Sequence, residues 1–183
     1  MKKLILTTCL LLAAVPALPA RAEAGPLTLV LAGSGGNDAF HFSLSPDGRN
    51  YVISAAAPLE VGGDLCAHPQ DSPDQLACKA PAISGFEVNA GGGADSVVFT
   101  SDIPVPVTIR GGPGEDRLTG GAAADKIIGG PDDDVLVGQG GDDWILGGPG
   151  SDRLLGGSGN DQLRGGPDKD KLVGGPGNNA LVQ

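Results

Sequence analysis

From Gly111 to Val182 the chain repeats every nine residues, and that period decides what it can fold into. The eight frames read GGPGEDRLT, GGAAADKII, GGPDDDVLV, GQGGDDWIL, GGPGSDRLL, GGSGNDQLR, GGPDKDKLV and GGPGNNALV, with no residue between them. Position one is always Gly. Position six is Asp116, Asp125, Asp134, Asp143, Asp152, Asp161 and Asp170, then Asn179. Position eight is Leu118, Ile127, Leu136, Ile145, Leu154, Leu163, Leu172 and Leu181. A nine-residue period does not line one face of a helix, and glycine at this density argues further against helices. Each frame instead predicts a Gly-rich turn of about six residues and a strand of about three, with position eight inward and positions seven and nine outward. One such strand cannot bury enough surface to fold alone, whereas stacked copies supply one another with a core.

A slower rhythm lies over the first. Position three is proline in every odd frame (Pro113, Pro131, Pro149, Pro167) and, among the even frames, only in the last, as Pro176. Two frames therefore make one coil, with a strand on each face and a turn on each edge. The eight frames give four coils, a ribbon spanning about 15 Å between its first and last strands. The expected class is all-β, a parallel β-roll or β-helix solenoid.

Such a ribbon has an electrostatic problem. Asp116, Asp134, Asp152 and Asp170 fall along one edge, and Asp125, Asp143 and Asp161 along the other. Uncompensated like charges in adjacent turns repel. Carboxylates beside bent Gly-rich backbone offer oxygen ligands only, a donor set that suits calcium, with its flexible coordination by six to eight oxygens, better than the stricter octahedron of magnesium. The frames contain no nitrogen or sulfur ligand for zinc.

The array resembles the calcium-binding nonapeptide repeat of secreted bacterial toxins and proteases, GGxGxDxUx with U a large aliphatic residue. The resemblance covers 72 of the 183 residues. It implies 18 residues per coil and calcium held between turns two frames apart, up to about six ions here, with fewer binding tightly. It also implies a ligand set: the seven position-six aspartates, and turn glycines Gly112, Gly114, Gly130, Gly141, Gly148, Gly150, Gly157, Gly159, Gly166, Gly175 and Gly177 for tight geometry and carbonyl oxygens. Several positions depart from the pattern. Asn179 replaces the last Asp, so its turn binds weakly or caps the array. Ala123, Asp132 and Asp168 stand at position four where the family has Gly, and a positive φ there would be strained. Asp132 and Asp168 either add surface ligands or disrupt their turns. Gln139 replaces the second Gly of its frame.

Residues 25–110 are less regular. GSGGNDAFH (33–41) and AGGGADSVV (90–98) place Asp38 and Asp95 at the sixth position, as weaker metal candidates beside Asp132, Asp168 and Asn179. NYVIS, FEVNA and VTI read as short strands. The order resembles the front of secreted proteins in which an irregular β-solenoid with a small cysteine loop precedes the repeats. A separate β-sandwich-like domain is the alternative. The domain reading is 1–24 signal peptide, 25–110 irregular β-rich region and 111–182 calcium-binding roll.

The signal reading rests on Lys2 and Lys3, the apolar run LILTTCLLLAAV and small-residue cleavage points after Ala20, Ala22 or Ala24. The run is too short to span a bilayer, which takes about 20 residues. An exported, extracellular chain follows. Without Lys2, Lys3, Arg21 and Glu23 it carries 9 basic against 21 acidic residues, −12. That balance opposes nucleic acid and anionic membranes and favours cations. Cys66 and Cys78 remain, an even pair whose spacing suits no zinc site and which in an exported protein closes a disulfide.

Catalytic constellations are missing from the sequence. His41 and His68 are the only histidines. Ser34 and Ser158 lack the strand-to-helix context of an esterase nucleophile, and no GK[ST] follows the glycines. Asp132–Asp133–Asp134 lacks the glycine and terminal Glu of an EF-hand loop. The expectation is a non-enzymatic, secreted calcium-binding β-roll whose folding is coupled to the ion. An adhesion protein using calcium only structurally is a second reading, motivated by a patch of Trp144 and Leu146 at outward positions that would face an unidentified protein or cell-surface partner. A secretion-assisting or minor hydrolytic protein is a third, its secretion-assisting form weakened by the N-terminal signal.

Overall fold

The computed structural model describes residues 27–55, 66–69, 72 and 74–183. The signal segment expected at 1–24 lies outside them, as does the whole segment between Ala55 and Cys66. The strands are β1 (Leu27–Ala32), β2 (Ala39–Leu44), β3 (Asn50–Ala55), β4 (Cys66–Ala67), β5 (Gln75–Lys79), β6 (Ile83–Asn89), β7 (Ser96–Phe99) and β8 (Val107–Arg110). The array continues with β9 (Arg117–Thr119), β10 (Lys126–Ile128), β11 (Val135–Gly140), β12 (Trp144–Leu146), β13 (Arg153–Ser158), β14 (Gln162–Arg164), β15 (Lys171–Val173) and β16 (Ala180–Val182). A single 3₁₀ turn, Ala80–Ala82, is the only helical element among the described residues.

The strands form two sheets, ordered β1-β6-β8-β10-β12-β14-β16 and β15-β13-β11-β9-β7-β2-β3-β5-β4. Even frames build the first and odd frames the second, so a coil takes two frames. Neighbouring strands pair in parallel with a shift of 18 residues, as in Val135 against Arg117 and Lys126 against Trp144. Because strand side chains alternate, a single residue per frame reaches the interior. Leu118, Ile127, Leu136, Ile145, Leu154 and Leu163 are fully buried there. Leu172 is only half-buried and Leu181 is 48% exposed, because β15 and β16 are the outermost strands and no described strand covers them.

The two sheets do not stop at residue 110. β1, β6 and β8 pair in parallel with one another and with β10, and β2, β7 and β9 do the same on the opposite face. The separate sandwich considered for this region does not form; the coils run through it. On the second sheet β3, β5 and β4 add in antiparallel order beyond β2 and finish that end. The Cys66–Cys78 disulfide joins directly opposed residues of β4 and β5. The core changes character along the axis. Phe42 and Phe99 stack 3.9 Å apart, with Phe86 edge-on to Phe42 and Tyr51 edge-on to Phe86, whereas the array interior is a narrow column of Leu and Ile.

Candidate metal centre

The turns are stacked by a regular set of hydrogen bonds. The N–H of position two donates to the position-one carbonyl of the next coil, and that of position four to the position-three carbonyl; Gly112 to Gly129 (3.0 Å) and Gly114 to Pro131 (3.2 Å) are examples. Position six continues the series with a side chain as acceptor. Along one edge each backbone N–H donates to the Oδ1 of the next rung: Asp38 to Asp95 (2.6 Å), Asp95 to Asp116 (2.8 Å), then Asp116 to Asp134, Asp134 to Asp152 and Asp152 to Asp170, each 2.9 Å. The other edge runs from Val107 to Asp125 (2.9 Å), Asp125 to Asp143 (2.8 Å), Asp143 to Asp161 (3.0 Å) and Asp161 to Asn179 (2.8 Å). The aspartates therefore point inward and are buried, not arrayed on the outer edge; all of the array are 4% exposed or less except the half-buried Asp170.

The second carboxylate oxygen divides them into two kinds. Oδ2 of Asp116, Asp134, Asp143, Asp152, Asp161 and Asp170 is buried and meets no hydrogen-bond donor. Leaving such an atom unsatisfied is costly, so a ligand is called for. Asp125 differs: its Oδ2 accepts the Gly121 N–H at 2.6 Å. Upstream, Asp38 Oδ2 likewise accepts the backbone N–H and hydroxyl of Ser34. Asn179 solves the problem chemically, accepting from Asp161 while its amide donates to the Gly175 carbonyl at 2.9 Å.

Electrostatics reports the same strain. Burial pushes the carboxyls of Asp134 and Asp143 up to about 7, with neighbouring aspartates adding to the rise and the inter-coil N–H bonds opposing it. Asp116, Asp125 and Asp152 are raised to about 6, again chiefly by burial.

Glycine at position one has a cause the repeat did not reveal. A Cβ on Gly111, Gly129 or Gly147 would lie 2.1–2.2 Å from Oδ2 of Asp116, Asp134 or Asp152, since each carboxylate folds back over the first α-carbon of its own frame. The eleven turn glycines of the expected ligand set all have φ between 93° and 146°, a region L side chains rarely enter. Asp132 (φ 85°), Asp168 (φ 83°) and Gln139 (φ 79°) adopt it without being glycine, so the strain expected at Asp132 and Asp168 is present. Ala123 does not; its turn takes another path, and this is the turn in which Gly121 satisfies Asp125. Gln139 uses its forced conformation to donate its amide to the carbonyls of Phe99 (2.7 Å) and Gly120 (2.5 Å), tying the irregular coils to the array.

The donor set fits a hard cation. Among the described residues no three His, Cys, Asp or Glu side chains converge on one point, so any ion here takes carbonyl oxygens beside its carboxylates. The carbonyls of Gly112 and Gly130 face the next turn so closely that a Cβ on Gly130 or Gly148 would lie 2.1 or 2.0 Å away, and neither accepts one of the inter-coil backbone hydrogen bonds. Buried carboxylate oxygens and backbone carbonyls, without nitrogen or sulfur, are calcium's ligands.

The expected outward pair lies on β12: Trp144 is 36% exposed, with the Lys126 ammonium 4.9 Å from its ring centroid, and Leu146 is half-buried. No helix among the described residues is long and apolar enough to cross a membrane.

The RTX calcium-binding nonapeptide repeat model, a four-copy pattern, matches residues 110–145 and again 146–181. No curated protein and no solved structure matches the chain. The matched repeat is a calcium-binding structural element, not a catalytic one. Two-frame coils, buried aspartate rungs and this double match agree: residues 110–181 are RTX-type calcium-binding nonapeptide repeats stacked as a β-solenoid.

Proposed function

We propose that this is a secreted calcium-binding β-roll whose array becomes stable only with the ion bound. The observation that carries the reading is the row of buried, unpartnered Oδ2 atoms on Asp116, Asp134, Asp143, Asp152, Asp161 and Asp170. Those six carboxylates, with carbonyl oxygens of the positive-φ turn glycines, are the proposed ligands. Bound calcium supplies the positive charge that the ladders lack. Asp125 and Asn179 hold their rungs with protein hydrogen bonds alone, so their turns are not expected to depend on the ion. A cation that binds the folded roll and not the unfolded chain stabilises it by mass action, which couples folding to calcium. Extracellular calcium modules work at about 10⁻⁴–10⁻³ M, a range that leaves the chain unfolded before export and folded outside. The basic-then-apolar start of the sequence and the Cys66–Cys78 disulfide support export.

Isothermal titration of the chelator-stripped chain tests the reading. Calcium should bind at several sites, not exceeding the six unpartnered carboxylates, and magnesium at the same concentration should give little heat. Absence of calcium heat would overturn it.

A further inference from the structure

The chain's strong net acidity conceals a sharp division by position. In the eight frames all twelve Asp and Glu residues occupy positions four to six, in the turns. Five of the six Lys and Arg residues occupy positions seven or nine, on the outer sides of the strands. The ribbon thus has two acidic edges and two broad faces that carry cations and no acids. On the second sheet, Arg117, Val135, Arg153 and Lys171 stand in one column across neighbouring strands, three cations interrupted by one valine, and Val137, Leu155 and Val173 stand in the next. Leu155 and Val173 are each 42% exposed. A shallow open groove of about 270 Å³ runs between the columns across β11, β13 and β15. None of the three cations forms an ion pair among the described residues.

We infer that this face docks on an anionic lipid bilayer, and that it does so only once calcium occupies the edges. Charge complementarity selects the occupant. A second copy presenting the same face would oppose cation to cation. A peptide laid on the face would gain no main-chain ladder, since the N–H and C=O groups of these strands are already committed within the sheet. A bilayer asks for neither: it offers anionic headgroups to the basic column and an apolar layer to the aliphatic one. The edges explain the gating. The stretch of positions seven to nine that carries these side chains is only about 10 Å long, close to the Debye length of about 8 Å at physiological salt, so the bare carboxylates of the adjoining turn repel the same headgroups that the face attracts. The acidity that argues against anionic membranes for the chain as a whole is therefore an edge property, reversed at the face when the edges are neutralised. The inference rests on the calcium reading above.

The test is co-sedimentation of the full chain with phosphatidylcholine vesicles, with and without phosphatidylglycerol, at 0.15 M salt in calcium or chelator, with circular dichroism on every sample. The intact chain should bind only the phosphatidylglycerol vesicles, only in calcium, and be released by chelator. At about fivefold per basic residue at an anionic surface, the double variant R153S/K171S should bind roughly 25-fold more weakly. The matched variant K126S/R164S, on the opposite face, should change little. A chain folded in calcium that ignores these vesicles overturns the docking and leaves the calcium reading standing; a chain that gains no β structure in calcium overturns the calcium reading itself. Equal loss in both double variants would reduce the effect to net charge. No loss in R153S/K171S would assign it to calcium bridging at the edges. Self-association of the free chain through this face would replace the bilayer with a second copy. Each of these three results also contradicts the inference.

Discussion

Asp134 accepts the backbone N–H of Asp116 through Oδ1 at 2.9 Å, while its Oδ2, equally buried, has no partner at all. One oxygen holds the coils together and the other requires something the polypeptide does not supply. The position-six aspartates are therefore both hydrogen-bonding rungs and buried charges, and the two roles can be separated by mutation.

Asp134→Asn separates them. Asn keeps an acceptor for the Asp116 N–H, as Asn179 does for Asp161, and removes the charge. Metal-free, the variant should be more stable than the parent by on the order of 1–3 kcal/mol, the cost of an unsatisfied buried polar atom. In calcium it should lose affinity and bound ions. Thermal melts in chelator and in calcium, compared side by side, check the opposite signs.

Asp125→Asn should behave differently. Both oxygens of Asp125 already have protein donors, Val107 and Gly121, and an amide must turn N–H toward one of them. The expected outcome is an unchanged calcium count by titration calorimetry and a stability loss of about 1–2 kcal/mol whether or not calcium is present.

The raised carboxyls set a pH dependence whose sign changes with the metal. The folded-state values of about 7 for Asp134 and Asp143 and about 6 for Asp116, Asp125 and Asp152 lie above the ordinary value of 3.8. The folded metal-free chain thus holds protons that the unfolded chain releases. The stability these groups contribute is fully present below about pH 4 and lost as pH rises through 6 to 7. Calcium requires the ionised carboxylate, so the calcium concentration at half-folding should fall as pH rises from 5 to 8. Far-UV melts in chelator at pH 5 and 7.5, and calcium titrations at both, measure the two trends.

Gly147→Ala tests the position-one contact. Its Cβ would fall 2.2 Å from Asp152 Oδ2 and 2.8 Å from the Gly165 carbonyl, so the carboxylate must move. The variant should lose at least about 1–3 kcal/mol, the range for overpacking, and weaken calcium binding. Gly35→Ala, where nothing lies within 4 Å of the new Cβ, should change neither.

Much of this was legible in the sequence because a period of nine with one aliphatic residue per frame permits few arrangements. The two-frame coil, the inward Leu and Ile column and the aspartate rows all follow from spacing, and the cysteine pairing from an even count in a chain read as exported. The first half was harder for a physical reason. Its first-sheet coils place Leu29, Phe86 and Val107 in the register where the array has Asp. These three are buried like the aspartates, but as hydrophobic residues needing no ion, and so they leave no Gly-Asp signature. The β3–β5 excursion further separates Asp38 from Asp95 by 57 residues, although they are adjacent rungs. Asp125 could not be told from its neighbours by its position in the repeat. Its distinction depends on the path of the Gly121–Ala123 backbone, a consequence of losing glycine at position four. The inward turn of the carboxylates, and with it the reason for position-one glycine, needed the three-dimensional stacking.

Far-UV circular dichroism of the chelator-treated chain at pH 7.5, followed through a calcium titration to roughly 10 mM, well above the range of extracellular calcium modules, bears most directly on the buried oxygens. The β signal should be weak at the start, rise cooperatively with calcium, and not rise with magnesium. A full β signal already present in chelator, unchanged by calcium, would mean that the six unpartnered carboxylates do without the ion.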